Sequence, residues 1–181
     1  MILSDSELIE MLREPRTRRE GFAVLVKQYS EKLYWKVRRI VLSHEDANDV
    51  LQNVFIKVWN NLQNFQGKSS LSTWLYRIAI NESLDFLRKQ KLADKVSADE
   101  DLSVASRLMS DEYFDGDEVQ ARLQEAVARL PEVQRTVFNL KYFEEMKYSE
   151  ISQILNTSEG ALKASYHLAV KKITEYLHLF D

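Results

Sequence analysis

Near the end of the chain, SEGALKASYHLAVKK (Ser158–Lys172) sets Lys163, His167 and Lys171 around a surface kept almost bare by Gly160 and Ala164. Cations and donors beside a strip without bulk suit close contact with nucleic acid. The cations meet phosphates, and small side chains sit where base edges approach. The plainer reading is a solvated helix face, since alanine is a good helix former and lysines decorate most exposed surfaces. The preceding YSEISQILNTSEG shifts the balance. It predicts a short helix with Ser149 as N-cap and Ile151, Ile154 and Leu155 as its apolar stripe. Asn156 tolerates the left-handed stop that follows, and Ser158 then caps a second helix. On that helix Leu162, Tyr166, Ala169 and Ile173 recur at spacings of three and four, the period of one buried stripe. Two helices joined this tightly make a helix-turn-helix, whose second helix enters the DNA major groove.

A second group lies in NFQGKSSLSTWLYRIAINESLDFLRKQK. Gly67, Ser69 and Ser70 mark a loop between Phe65 and Trp74, and the helix after it carries Arg77, Arg88, Lys89 and Lys91. Aromatic faces beside a basic loop are what single-stranded nucleic acid requires, with each stacked base contributing about 1–3 kcal/mol. Trp74, Tyr76 and Ile78 could equally fill a core. The third group is HEDANDVLQNVFIKVWNNL, in which Asp46, Asp49, Gln52, Asn53 and Lys57 form a polar row. Ala47, Val50, Val54, Ile56 and Val58 supply apolar positions, and Phe55 and Trp59 sit four apart beside the row. A solvated helix face is one account; aromatics mixed with amides also suit a protein–protein contact.

The elements that must position these groups are all helical. Only 4 Gly and 2 Pro among 181 residues argue against a sandwich or barrel, and 45% apolar content is ample for packed cores. Helices are expected near Ser4–Arg13 (ended by Pro15), from Arg18 to Leu42, from Glu45 to Leu62 and from Leu71 to Lys91. A later block holds one near Val119–Ala128, one opened by Pro131, and the helix-turn-helix. Between the blocks, ADKVSADEDLSVASRLMSDEYFDGDE reads as a flexible linker with a short helical turn around Val104–Met109. The formal net charge of −3 belongs largely to that segment: residues 93–118 carry 2 Lys and Arg against 9 Asp and Glu. Residues 1–92 carry 15 against 11, and residues 119–181 carry 8 against 8. The expected fold is all-α: two small helical domains, 1–92 and 119–181, joined by the acidic linker 93–118.

Several function classes are disfavoured. The chain has no cysteine, which excludes disulfides and thiolate metal sites, and His44, His167 and His178 show no ligand spacing. No metal or cofactor is expected. No carboxylate dyad, nucleophile–base pair or phosphate-cradling glycine loop is evident, so no catalytic residue is expected. The N-terminus lacks a signal-peptide layout and no apolar run reaches the length of a membrane span, so a cytoplasmic protein without membrane insertion is expected.

A docking helix, a single-strand reader, an acidic tether and a duplex reader in this order resemble the extracytoplasmic-function sigma factors of bacterial RNA polymerase. DANDVLQNVFIKVWNNLQNFQG followed by STWLYRIAINESLDFLRK is similar to the family's sigma-2 domain. ARLPEVQRTVFNLKYFEEMKYSEISQILNTSEGALKASYHLAVKKI is similar to its sigma-4 domain. The resemblance implies a transcription initiation factor that binds core RNA polymerase and directs it to promoters. Its partners would be the β′ coiled coil and β flap of the polymerase, promoter DNA, and an anti-sigma factor. It implies polymerase contact through Asp46, Asp49, Gln52, Asn53 and Phe55. The melted −10 element would meet Phe65, Gln66, Lys68, Ser69 and Ser70 in the loop and Trp74, Arg77, Asn81 and Arg88 on the helix. The −35 duplex would meet Ser158, Lys163, Ala164, His167, Leu168 and Lys171. Many members carry arginines where this chain has Ser165, Leu168 and Val170, so phosphate anchoring here rests on Lys163, Lys171 and Lys172. The alternative is a stand-alone helix-turn-helix regulator that binds duplex without polymerase, which would leave the Phe65–Ser72 loop and the Asp49 face without a purpose.

Overall fold

The computed structural model describes residues 2–93 and 116–180, and every regular element among them is helical. The chain divides into two compact units, Met1–Lys95 and Val96–Asp181. The acidic stretch 94–115, with the turn expected around Val104–Met109, lies outside the described residues, as does the Lys91 side chain.

The first unit contains α1 (Asp5–Arg13), α2 (Arg18–Val41), α3 (His44–Asn61) and α4 (Leu71–Ala93). A reciprocal cap opens α1: the Glu7 N–H donates to Ser4 Oγ at 3.4 Å, and the Ser4 N–H donates to Glu7 Oε2 at 2.8 Å. The Ser4 hydroxyl, which donates to Glu7 Oε2 at 2.6 Å, and then the Ser4 N–H hold the Glu7 carboxyl below the ordinary carboxylate range. The central helix α2 packs on the other three. Its contact with α1 is close, because a Cβ at Gly21 would stand 2.9 Å from Met11 Cβ; glycine is what permits it. Leu42 stops α2 in the left-handed region (φ 69°), and Ser43 Oγ then accepts the Asp46 N–H at 3.3 Å to start α3. Leu25, Leu33, Leu71 and Leu75 are fully buried, each contributing about 1.5–3 kcal/mol relative to exposure.

The second unit contains α5 (Glu118–Ala128), α6 (Glu132–Phe138), α7 (Tyr148–Leu155) and α8 (Glu159–Leu177). Asp117 caps α5 by accepting the Gln120 N–H at 2.9 Å. Pro131 stands one position earlier than expected: its carbonyl accepts the Arg135 N–H at 2.9 Å, which makes it the N-cap and Glu132 the first helical residue. The sequence reading had no place for the widened turn Asn139–Phe143 that continues α6, in which the Glu144 N–H reaches back to the Asn139 carbonyl at 3.2 Å. Ala126, Val127, Leu130, Phe138, Ala169 and Ile173 form the core, with Phe143, Tyr166 and Tyr176 packed at its edge.

Candidate nucleic-acid interface

The helix-turn-helix forms from α7 and α8. Asn156 takes the left-handed conformation expected of it (φ 51°, ψ 46°), and Ser158 Oγ accepts the Ala161 N–H at 3.3 Å to open α8. Ile151 and Leu162 are fully buried, pinning the two helices together. The start of α7 differs from expectation. Lys147 rather than Ser149 is the N-cap residue, because Glu150 reaches back to accept the Lys147 N–H at 2.9 Å. Ser149 is left exposed inside the helix. With Leu162, Ala169 and Ile173 buried and Tyr166 half-buried, α8 turns its other side outward. That side carries Lys163, Ala164, His167, Leu168 and Lys171, all exposed, and a Cβ at Gly160 would have no neighbour within 4 Å. Lys163 Nζ lies 5.7 Å from the Tyr148 ring centroid, and Lys171 Nζ lies 4.0 Å from the Glu175 carboxylate. The outward face is bare in the middle and positively charged along one edge.

In the first unit, the loop between α3 and α4 turns through a short helical turn, Leu62–Asn64, and through Gly67 at φ 70°. Phe65 and Trp74 are both half-buried and lean on each other, with ring centroids 5.2 Å apart. Gln66 and Lys68 are exposed and Ser69 is half-buried. Ser70 starts α4, its hydroxyl oxygen accepting the Thr73 N–H at 3.1 Å. On α4, Trp74, Arg77, Asn81 and Arg88 share one face by helical spacing. Trp74 and Arg77 are half-buried, and the Arg77 Nε is buried without a partner. Arg88 is exposed, paired with Asp85 at 2.7 Å, and lies about 20 Å further along the axis than Trp74.

The polar row on α3 has an apolar centre that sequence reasoning missed. Asp49, Gln52, Ile56 and Trp59 follow at spacings of three, four and three, so they share one outward face. Ile56 is 59% exposed and Trp59 38% exposed, where the sequence reading assigned Ile56 to the apolar set. Phe55 instead turns to the edge of that face. It is half-buried against Phe22 at 6.4 Å, and Phe22 meets Trp59 at 5.0 Å. Asn53 is exposed and Asp46 half-buried. A basic cluster between α2 and α4 was also not legible. Lys36 Nζ sits 4.0 Å from the Tyr76 ring centroid, and burial first, then Arg39 and Lys32, pushes its pKa down to about 8.

Comparison with known proteins bears on both units. The family model described as sigma-70 region 2 matches residues 25–93, and that described as sigma-70 region 4 matches residues 120–173. The ECF RNA polymerase sigma factor SigW of Bacillus subtilis is 34% identical over 82% of this chain and 84% of its own length. This chain belongs to the ECF sigma factors. The RNA polymerase sigma-H factor of Pseudomonas aeruginosa is 30% identical over 96% of this sigma factor and 93% of its own length. Among solved structures, the sigma factor RpoE in complex with the anti-sigma factor NepR from Bartonella quintana has the same fold. Its TM-score is 0.70 at 20% identity, covering 88% of this chain and 98% of that one. CnrH in complex with the cytosolic domain of CnrY gives a TM-score of 0.64 at 20% identity, covering 98% and 96%. As a member of this family, the sigma factor works with RNA polymerase in promoter-specific initiation. The loop, α3 and α4 fall inside the region 2 match, and the helix-turn-helix falls inside the region 4 match. Among the described residues no group of His, Asp and Glu could hold a metal ion, and no helix is long and apolar enough to cross a membrane.

Proposed function

We propose a division of labour among three surfaces of this sigma factor. The row Asp49, Gln52, Ile56 and Trp59 docks on core polymerase, with Asp46, Asn53 and Phe55 at its margin. The loop from Phe65 to Ser70 and the α4 face of Trp74, Arg77, Asn81 and Arg88 take the −10 element as a single strand. The outward face of α8 takes the −35 element as duplex. Residues 1–93 and 117–181 are then the two working domains and 94–116 the tether between them, since Ala93 lies in α4 and Asp117 and Glu118 open α5. The protein is a non-catalytic cytoplasmic factor. Two of the solved neighbours are complexes with an anti-sigma factor and with the cytosolic domain of CnrY, which supports inhibition of this chain by an anti-sigma protein that covers the same docking surfaces.

The observation that carries this reading is the outward side of α8, clear of bulk at Gly160 and Ala164 and edged by Lys163, His167 and Lys171. Reconstitution of the full chain with core polymerase, followed by sequencing of transcripts from genomic DNA, tests it. Transcripts should begin downstream of a shared pair of elements. Replacing Asp49, Gln52 and Ile56 together with alanine should weaken core binding roughly tenfold without changing helicity, because all three are exposed. A chain that ignored core enzyme but gripped promoter duplex tightly would instead be a stand-alone regulator.

A further inference from the structure

Gly160, Ala164 and Leu168 stand four residues apart on the outward side of α8 and form one line along it. The line carries no hydrogen-bonding side chain, and Leu168 is 46% exposed. Lys163, His167 and Lys171 form the neighbouring line, also at spacings of four and also exposed, and Lys172, four residues beyond Leu168, ends the apolar line. A lone exposed leucine needs no explanation. A leucine that continues a cleared strip beside a row of lysines and a histidine, with Lys172 at its end, is different, because whatever the lysines draw against α8 must also face the strip. The major groove of DNA offers donors, acceptors and one apolar group, the C5 methyl of thymine. A guanine or cytosine edge opposite Leu168 would lose water and gain no partner.

We propose that Leu168 is a specificity-determining residue that reads the C5 methyl of a thymine in the duplex promoter element. Ala164 meets a second methyl about two base-pair steps away, since four helical residues rise about 6 Å and base pairs stack about 3.4 Å apart. The proposal rests on α8 being the duplex reader.

The test uses the full chain reconstituted with core RNA polymerase, and a library of duplexes randomised across the −35 region. After enrichment, each thymine in the selected duplex is replaced in turn by deoxyuridine, which keeps base pairing and removes only the methyl group. At the position facing Leu168 affinity should fall about fourfold, the equivalent of about 0.8 kcal/mol for one methyl returned to water. With Leu168→Ala the thymine-to-uracil ratio at that position should drop to about one, while other positions keep theirs. Leu168→Arg should shift the preference at the same pair toward guanine, the base that arginine reads bidentately. Both variants should keep wild-type helicity, since Leu168 lies outside the core. Absence of any uracil-sensitive position, or uracil sensitivity that survives Leu168→Ala at every position, overturns thymine reading by Leu168 and leaves α8 as the reader. Failure to enrich any −35 sequence overturns both.

Discussion

The two surfaces proposed to face DNA are built in opposite ways. In the first unit the aromatic surface is braced from within: Phe65 leans on Trp74, Ser70 ties down the start of α4, and Gly67 bends the loop between them. On α8 the corresponding surface is defined by what is missing, with Gly160 and Ala164 presenting almost nothing. A single strand exposes base faces, so its reader needs large rings held at fixed depth. A duplex hides those faces and exposes base edges at the floor of a groove, so its reader needs clearance for a whole helix. Bulk should therefore be essential at Phe65 and Trp74 and fatal at the cleared position Ala164.

Ala164→Glu strikes the second half of that contrast hardest. A longer side chain with negative charge meets both the groove floor and the phosphates, and promoter duplex affinity of the holoenzyme should fall about 100-fold or more. The fold should hold, because position 164 is exposed and glutamate is a good helix former. Unchanged −35 recognition would make α8 an ordinary solvated helix. Trp74→Ala inverts the experiment. Loss of one stacked base at about 1–3 kcal/mol predicts a roughly fivefold to 150-fold drop in affinity for a single-stranded −10 oligonucleotide. Binding to a −35 duplex should be untouched. An equal loss for both would mean that Trp74 acts through stability alone.

A smaller effect separates charge from shape on α8. Lys163→Ala should weaken the duplex complex a few-fold across many sequences and reduce its salt slope by about one, if the ammonium meets a phosphate. Loss concentrated at a single base pair would assign Lys163 to a base edge. The smallest effect concerns the basic cluster behind the single-strand surface. The Lys36 pKa falls from its ordinary 10.5 to about 8 on folding, mainly through burial. Between those values the unfolded chain binds more protons, so stability rises with pH across that window. Lys36→Met should raise the melting temperature by a few degrees at pH 7, with the advantage shrinking as pH climbs from about 8 toward 10.5. A constant gap across the window would show that Lys36 carries no buried charge.

Local chemistry made much of this protein legible from its sequence. Helix spans, the left-handed stop at Asn156, the Ser158 cap and the bare strip on α8 all depend on residues within a few positions of one another. A helical period also fixes which side chains share a face, so Leu162, Ala169 and Ile173 named the buried side of α8, and with it the outward one. Tertiary packing decided the rest. The 3.6-residue period gives the angle between Phe55 and Ile56 on α3, but which of them turns toward α2 depends on where Phe22 sits, more than thirty residues away. That contact drew Phe55 inward and left Ile56 and Trp59 in the docking row. The burial of Lys36 over Tyr76 arises in the same way. Each joins partners whose meeting depends on how whole helices cross, which no local spacing contains.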